Sequence, residues 1–504
     1  MTDRPILVTG ATGYIGGRLI PVLLEKGCRV RAVARSGAKL SCRPWARDPG
    51  VETAVADMQD RSSLMRAARG CSAAFYLVHS MKAAVPRQEN LDLQAARNMS
   101  MAAGREGLDR IIYLSDLGDD HARASRHLQS RAKVGRILQA GRTPVTILRS
   151  SIILGSGSAV FELIRHLVQR LPVMFAPRWV NTLSQPIAVQ NVLEYLAGCL
   201  EKPETTGRTF DIGGPDVVTY ADLFRLYARE AGLRRRIIIR VPGLTSKFLA
   251  RFAHFLTPVP ASLAETLIES MRDQAVCRDQ EIKEIIPQEL SSCSQAISLA
   301  LHSVHQDRVQ TCWMDAGQLQ APEWILQEDQ NNAGSRILEY TQAVELEGTA
   351  DRLWPFLEEI GGSRGWYGMD FLWRIRGDLD RLAGGPGLRR GRRDQSRLLV
   401  GDALDFWRVL RCEPPHVLLL LSEMNLPGEA MLEFRLQDIA QDRVQLLQTA
   451  RLMPHGLPGL VYWYLTYPLH GLVFRSMLLN MARQSGHKIL AGPHPADRAE
   501  ALSD

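Results

Sequence analysis

Residues 8–19 read VTGATGYIGGRL, with glycines at 10, 13 and 16. A GxxGxxG run between a β-rich segment and a helical one is a phosphate-binding turn. Gly10 permits the tight bend, Gly13 lets backbone approach a pyrophosphate, and Gly16 allows the helix to pack on the strand. The N-terminus of that helix aims amide donors at the anion, so Thr12, Tyr14 and Ile15 share the cradle. A glycine-rich turn without a ligand is the plainer alternative. Farther on, VRAVARSGAKL carries Arg31, Arg35 and Lys39 and no carboxylate, where an NAD-selective site ordinarily holds an acid for the ribose hydroxyls. Cations there suit a 2′-phosphate, Arg35 through its planar fork, so NADP is the expected cofactor and NADPH is favoured over NADH. A solvated basic turn reads the same residues. In VADMQD, Asp57 and Met58 stand where side chains border an adenine, or where a simple loop carboxylate sits.

Such a turn needs a strand before it and a helix behind it, and the chain supplies both repeatedly. Short apolar runs at 6–9, 29–34, 51–56, 73–78, 110–115 and 145–149 alternate with helical stretches at 16–25, 62–68, 91–106 and 125–140. Six strands with helical crossovers predict a doubly wound, parallel α/β sheet of Rossmann type. The pattern loosens after Ile152 into a smaller substrate-side lobe over 152–287, with helices near 161–170 and 189–201 and a strand at 208–212. Residues 288–337 turn polar and read as a linker. A separate α+β domain follows over 338–486, with a helix at 350–359, strands at 403–410, 417–422, 430–436 and 443–450, and a long apolar helix for its sheet to curl around. Residues 487–504 read as a polar tail.

Composition agrees with several globular units. The 504 residues exceed what one core organises, and 45% hydrophobic with 23% charged residues excludes a disordered or fibrous chain. A net charge of +7 is too diffuse to single out nucleic acid, and none is expected. Eight scattered cysteines without CxxC or His at ligand spacing predict reduced thiols in a cytoplasmic protein, and no metal site. No secretory h-region precedes Ile6. The stretch 457–474, LPGLVYWYLTYPLHGLVF, has no charged residue, yet Pro458, Gly459, Pro468 and Gly471 favour a buried helix over a membrane span.

TGATGYIG, the basic end of the second strand, AFYLVHS after the fourth and RIIYLSDLG at the fifth resemble the short-chain dehydrogenase/reductase superfamily over roughly residues 4–287. The atypical branch of NmrA-like, NAD(P)H-binding proteins is the most similar, and DIGGPDVVTYADL resembles its substrate-lobe turn. The resemblance implies an NADP(H)-dependent oxidoreductase and adds Leu77 to the cofactor-binding set. Residues 340–484 resemble the START-like helix-grip superfamily (SRPBCC), through GGSRGWYGMDFLWRIRG, GLRRGRR, GDALDFWRV and WYLTYPLHGLVF. Trp366, Tyr367, Trp373, Phe406, Trp407, Trp463 and Tyr464 then line a cavity for an apolar small molecule or pack as ordinary core. Arg389, Arg390, Arg392 and Arg393 grip an anionic headgroup, giving peripheral contact with the inner face of the membrane, or form a solvated loop.

The superfamily's chemistry pairs Tyr with Lys one helical turn later. None of the eleven tyrosines has Lys four residues on, and RHLQSRAKVGRIL places Gln129 before Lys133 where the pair belongs. Glutamine has no titratable proton. What remains is Ser115 at the end of the fifth strand with His127, Ser130 and Arg131 on the helix, His127 and Arg131 on one face. His127 as proton donor and Arg131 as anchor for an anion make a replacement catalytic site, and a structural cluster seating the helix is the alternative. The expected function is an atypical NADP(H)-dependent reductase of a quinone-like, enone or acyl substrate. The rivals are a non-catalytic NADP(H) sensor and a lipid- or quinone-handling protein with a scaffold reductase half.

Overall fold

The structure, a computed structural model, describes residues 4–78, 86–118, 125–305, 309–316, 322, 324, 337–389 and 392–496. The chain divides into two compact units, Met1–Ala316 and Gly317–Asp504. In the first, strands β1 (Ile6–Thr9), β2 (Val30–Ala34), β3 (Val51–Val55), β4 (Ala73–Tyr76), β5 (Arg110–Asp116) and β6 (Val145–Ser150) alternate with helices α1 (Gly16–Glu25), α2 (Gly37–Ser41), α3 (Arg61–Ala68), α4 (Pro86–Glu106) and α5 (Arg126–Gln139). All pairings are parallel in the order β6-β5-β4-β1-β2-β3, and Thr209–Ile212 adds a seventh strand beside β6. This is the doubly wound order with its switch point between β1 and β4. The strand at 209–212 therefore belongs to the main sheet and not to the lobe. Asp211 explains its seat, for its fully buried carboxylate takes Arg149 Nε at 2.7 Å and the Arg278 amide at 3.0 Å.

One sheet face packs on α1 and the helix Val189–Glu201, and the other on α3, α4 and α5. A third core lies in the lobe, among helices Ala159–Arg170, Tyr220–Glu230, Ser246–Leu256 and Ala261–Ser270. The helix Cys293–His305 joins that core through Cys293, Ala296, Ile297, Ala300 and Leu301, which form one apolar face. The polar linker expected from residue 288 is thus part of the first unit as far as Ala316. Its polar residues mark the outer side of a helix.

The second unit is an antiparallel sheet of Ala403–Leu404, Trp407–Glu413, Val417–Ser422, Gly428–Ala440, Arg443–Pro454, Leu338–Glu347 and Ile489–Pro495, in that order. Residues 489–495 are an edge strand rather than a tail, and 497–504 lie outside the described residues. The expected strand at 403–410 is two strands around a turn in which Asp405 has φ +53°. The helix Asp370–Leu382 was not foreseen. A single helix, Gly456–Gln484, runs through Pro468, and its Val473, Phe474, Met477, Leu478 and Met481 enter the core against the sheet. Among the described residues no helix is long and apolar enough to cross a membrane. Trp366, Trp373, Phe406 and Trp407 are buried against one another with ring centroids 5.2–6.2 Å apart, which is core packing. Tyr367 and Trp463 are also buried, while Tyr464 is exposed. Arg392 donates to the carbonyls of Ile360 and Asp394, and Arg393 pairs with Asp402 at 3.1 Å, so both point inward. Arg390 and the Arg389 side chain lie outside the described residues.

Two buried groups of this unit oppose each other in acid. Burial pushes the Asp405 carboxyl up to about 6, against hydrogen bonds from the Gly362 amide and Trp366 indole. Burial, aided by repulsion from Arg376, pushes the His470 imidazole down to about 4. The fold favours protonated Asp405, so that contribution is present in acid and lost as pH rises from 3.8 through about 6. It favours neutral His470, so that contribution is present above 6.5 and lost as pH falls through about 4. Asp405→Asn should leave a unit that loses up to about 3 kcal/mol on acidification, and His470→Gln one that loses a similar amount on going the other way. Hydrogen exchange of the Arg443–Pro454 amides across this range reads both slopes, and parallel profiles for the two variants would contradict the assignment.

Candidate active site

The carboxyl ends of β1, β4 and β5 meet at one edge. Thr9 ties β1 to β4, its hydroxyl donating to the Phe75 carbonyl at 2.9 Å and accepting the Leu77 amide at 3.2 Å. Gly10 follows at φ +71°, and a side chain there would stand 3.0 Å from the Leu77 carbonyl oxygen. A Cβ on Gly16 would lie 2.3 Å from the Gly10 carbonyl oxygen. Gly13 differs, since its Cβ would meet only that same oxygen, at 3.2 Å. Among the described residues nothing else stands within 4 Å of it. The amides of Thr12, Tyr14 and Ile15 have no acceptor among the described residues, which leaves them aimed past the start of α1 as helix termini require. This cradle fits a pyrophosphate.

The Tyr14 side chain turns away from it. Burial pushes its hydroxyl up to about 12, and Arg18 sits over the ring at 4.7 Å. A feature invisible in the sequence holds this turn from behind. Arg18 donates to Thr311 Oγ1 at 2.9 Å and to the Ser156 carbonyl at 2.7 Å, and Thr311 donates to the Tyr14 carbonyl at 2.8 Å. Gly17 admits the contact, as a Cβ there would stand 2.8 Å from Thr311 Cγ2.

Of the three cations at β2, one faces solvent. Arg31 lies at the opposite end of the strand, pairing with Glu52 at 2.7 Å and donating to the carbonyls of Ala67 and Arg69. Lys39 is buried with Nζ on the Asp315 carbonyl at 2.9 Å, and Arg43 lies 3.4 Å from the Asp315 carboxylate. Arg35 is exposed just beyond β2. Asp57 accepts the Gln59 amide at 2.9 Å in the turn after β3, while Met58 is buried in the core beside α3 and its carbonyl takes Asn98 Nδ2. Leu77 is half-buried at the end of β4.

At β5 the residue missed in the sequence is Asp116. Its carboxylate lies 2.9 Å from His127 Nε2 and 3.4 Å from Arg131 Nε, joining the strand end to the first turns of α5. Ser125 caps that helix, accepting the Leu128 amide, and its own amide is held by Asp273 at 3.0 Å. Arg131 is buried, donates to the Leu114 carbonyl and covers the Tyr113 ring at 5.0 Å. Ser115 is buried beside the Tyr113 hydroxyl, which donates to the Arg131 carbonyl at 3.3 Å. Burial raises both Tyr113 and Tyr76 well above the ordinary phenol range. Lys133 pairs with Glu89 at 2.7 Å on α4. His127 and Arg131 thus meet on one carboxylate, Asp116, at the end of β5. The acidic signal was present in the motif SDLG, one residue after Ser115, but nothing in spacing linked it to the helix.

The chain belongs to the NmrA-like family, which matches residues 2–271. Residues 335–477 match a second family, described as a protein of unknown function, DUF2867. Ceramide reductase of Caulobacter vibrioides is 26% identical over 258 residues, 51% of this chain and 80% of that protein. Among solved structures, the triphenylmethane reductase of Citrobacter sp. complexed with NADP(H) is similar at 18% identity and TM-score 0.48, covering 59% of this chain and 99% of that one. The NADPH-dependent quinone oxidoreductase QOR2 of Escherichia coli is similar at 18% identity and TM-score 0.48, covering 58% and 98%.

The two glycines make separable predictions. Gly16→Ala should destabilise the first unit by about 1–3 kcal/mol, since backbone must move to admit a methyl group. Gly13→Ala should cost clearly less, because among the described residues its Cβ meets only the Gly10 carbonyl oxygen, at 3.2 Å rather than 2.3 Å. Thermal melts followed by proteolysis of the first unit compare them, and equal melting of the two variants would refute the packing argument.

Proposed function

We propose that the first unit is an NADP(H)-dependent reductase of the atypical short-chain type that uses His127 in place of the missing tyrosine. The observation that carries this reading is the common edge on which an open glycine cradle, the exposed Arg35 and the Asp116–His127 pair are assembled. The cradle amides and Gly13 would receive the pyrophosphate, Arg35 the 2′-phosphate, and Asp57 and Leu77 would border the adenosine and the nicotinamide ribose. The cofactor, when bound, supplies the hydride. His127 donates the proton to the substrate oxygen, and Asp116 holds the imidazole in place. Arg131 acts as a positioning residue beneath Asp116, and Ser115 fixes the strand end. Ceramide reductase, a relative, is named for reduction of a lipid, which supports an apolar substrate with a reducible carbonyl or quinone. The second unit, in this reading, is a helix-grip module whose aromatic side chains pack its own core.

A sensor without chemistry is the second reading, favoured by one observation: Arg131, Lys133 and Tyr113 are all engaged inside the protein. Kinetics separates the two. NADPH oxidation should proceed with quinones or enones, and His127→Ala and Asp116→Asn should each lower turnover by about a hundredfold, whereas Tyr113→Phe changes it only a few fold. Turnover absent from wild type despite tight NADPH binding would support the sensor. Arg35→Asp should remove the preference for NADPH over NADH, and calorimetric titration showing equal affinities in wild type would end the 2′-phosphate assignment.

A further inference from the structure

The substrate-side lobe carries a surface that the proposed reductase chemistry does not use. Residues 231–260, AGLRRRIIIRVPGLTSKFLARFAHFLTPVP, hold six cations and no Asp or Glu. Within them the helix Ser246–Leu256 buries only Ala250 and Ala253 fully, and leaves Phe248, Phe252 and Phe255 exposed, Phe248 by 58%. These three lie at i, i+4 and i+7, one side of the helix. The preceding strand, Ile237–Arg240, pairs in parallel with Val173–Ala176, Ile237 beside Val173 and Ile239 beside Phe175. All four side chains are exposed, Phe175 by 62%, while Met174 and Ala176 point into the core. Seven large apolar side chains thus face solvent on three elements, the helix and two paired strands, the second of which is joined to the helix by five residues.

The surface is built, not frayed. Thr245 caps the helix by accepting the Phe248 amide at 3.2 Å, and Arg170 holds its last turn by donating to the Leu256 carbonyl. Arg234, Arg235, Arg240, Lys247 and Arg251 are exposed, and none makes an ion pair among the described residues. Arg236, at the base of the strand, is buried on the Val168 carbonyl at 2.8 Å. It lines, with Arg225, Arg229 and Arg235, a cleft of about 570 Å³ in which the Asp222 carboxylate is paired to Arg225 at 2.8 Å. Exposed rings interleaved with unpaired cations match the boundary between headgroups and acyl chains, where rings enter the apolar layer and Lys and Arg reach the phosphates.

We propose that this face docks the protein on an anionic lipid bilayer, Phe248, Phe252, Phe255 and Phe175 entering the interface and Arg234, Arg235, Arg240, Lys247 and Arg251 meeting the headgroups. The inference is independent of the reductase assignment. Cosedimentation of the full chain with phosphatidylserine–phosphatidylcholine vesicles should show binding that phosphatidylcholine alone does not support and that added salt weakens. Lys247→Glu with Arg251→Glu should lower the partition coefficient by about 25-fold or more, and Phe248→Ser with Phe252→Ser by about tenfold or more, at unchanged melting temperature. The proposal is overturned if wild type ignores anionic vesicles, or if both double variants bind as wild type does. Loss of binding instead in Phe371→Ser with Leu379→Ser would also overturn it, moving contact to the second unit. Conversion of a dimer to a monomer by the phenylalanine variants, without vesicle binding, would assign the face to a second copy of the chain.

Discussion

Everything at the proposed cofactor edge depends on one crowded point, the Gly10 carbonyl. The start of α1 passes so close to it that residue 16 can carry no side chain, and Gly10 itself lies against the Leu77 carbonyl in a left-handed conformation. Strand, turn and helix are thereby held at a spacing that only glycine allows, and the amides of the first helical turn are left facing outward. The hydroxyl of Thr9 completes the arrangement by bridging β1 to β4. Gly13, by contrast, would bring its Cβ no closer than 3.2 Å to that oxygen.

A second set of contacts shows how a remote segment supports this turn. Thr311 and Asp315 lie almost three hundred positions from the glycines, yet they engage Arg18, the Tyr14 carbonyl, Lys39 and Arg43, all of them buried or nearly so. Removing charge partners from such a buried group leaves the others uncompensated, so the first unit requires residues beyond the span that matches its family. That is why its boundary falls at Ala316 and not at a composition change near residue 288.

Asp116 plays the corresponding part at β5. Where the short-chain superfamily pattern calls for a tyrosine and a lysine on the helix, this chain has a carboxylate on the strand end that draws a histidine and an arginine onto it. The arginine is bound inward by the Leu114 carbonyl and the Tyr113 ring, which makes it a support for the carboxylate, and the proposed proton donor is the imidazole.

The amino-acid sequence by itself determined the parallel sheet, its strand positions to within a residue or two, the glycine turn and the absence of a Tyr-Lys pair. These are local matters, set by hydrophobic period, turn chemistry and i, i+4 spacing. Tertiary structure alone decided which cations at β2 remain available. Arg31, Arg35 and Lys39 look alike in a string of letters, but strand direction sends Arg31 to the far end and Asp315 captures Lys39. It likewise turned Arg392 and Arg393 inward and recruited residues 489–495 as an edge strand. Asp116, too, became part of the site only through a contact between a strand end and a helix. Charge and polarity in a sequence signal contact with water only until folding brings a distant carboxylate or carbonyl within hydrogen-bonding reach, and no short-range pattern records that event.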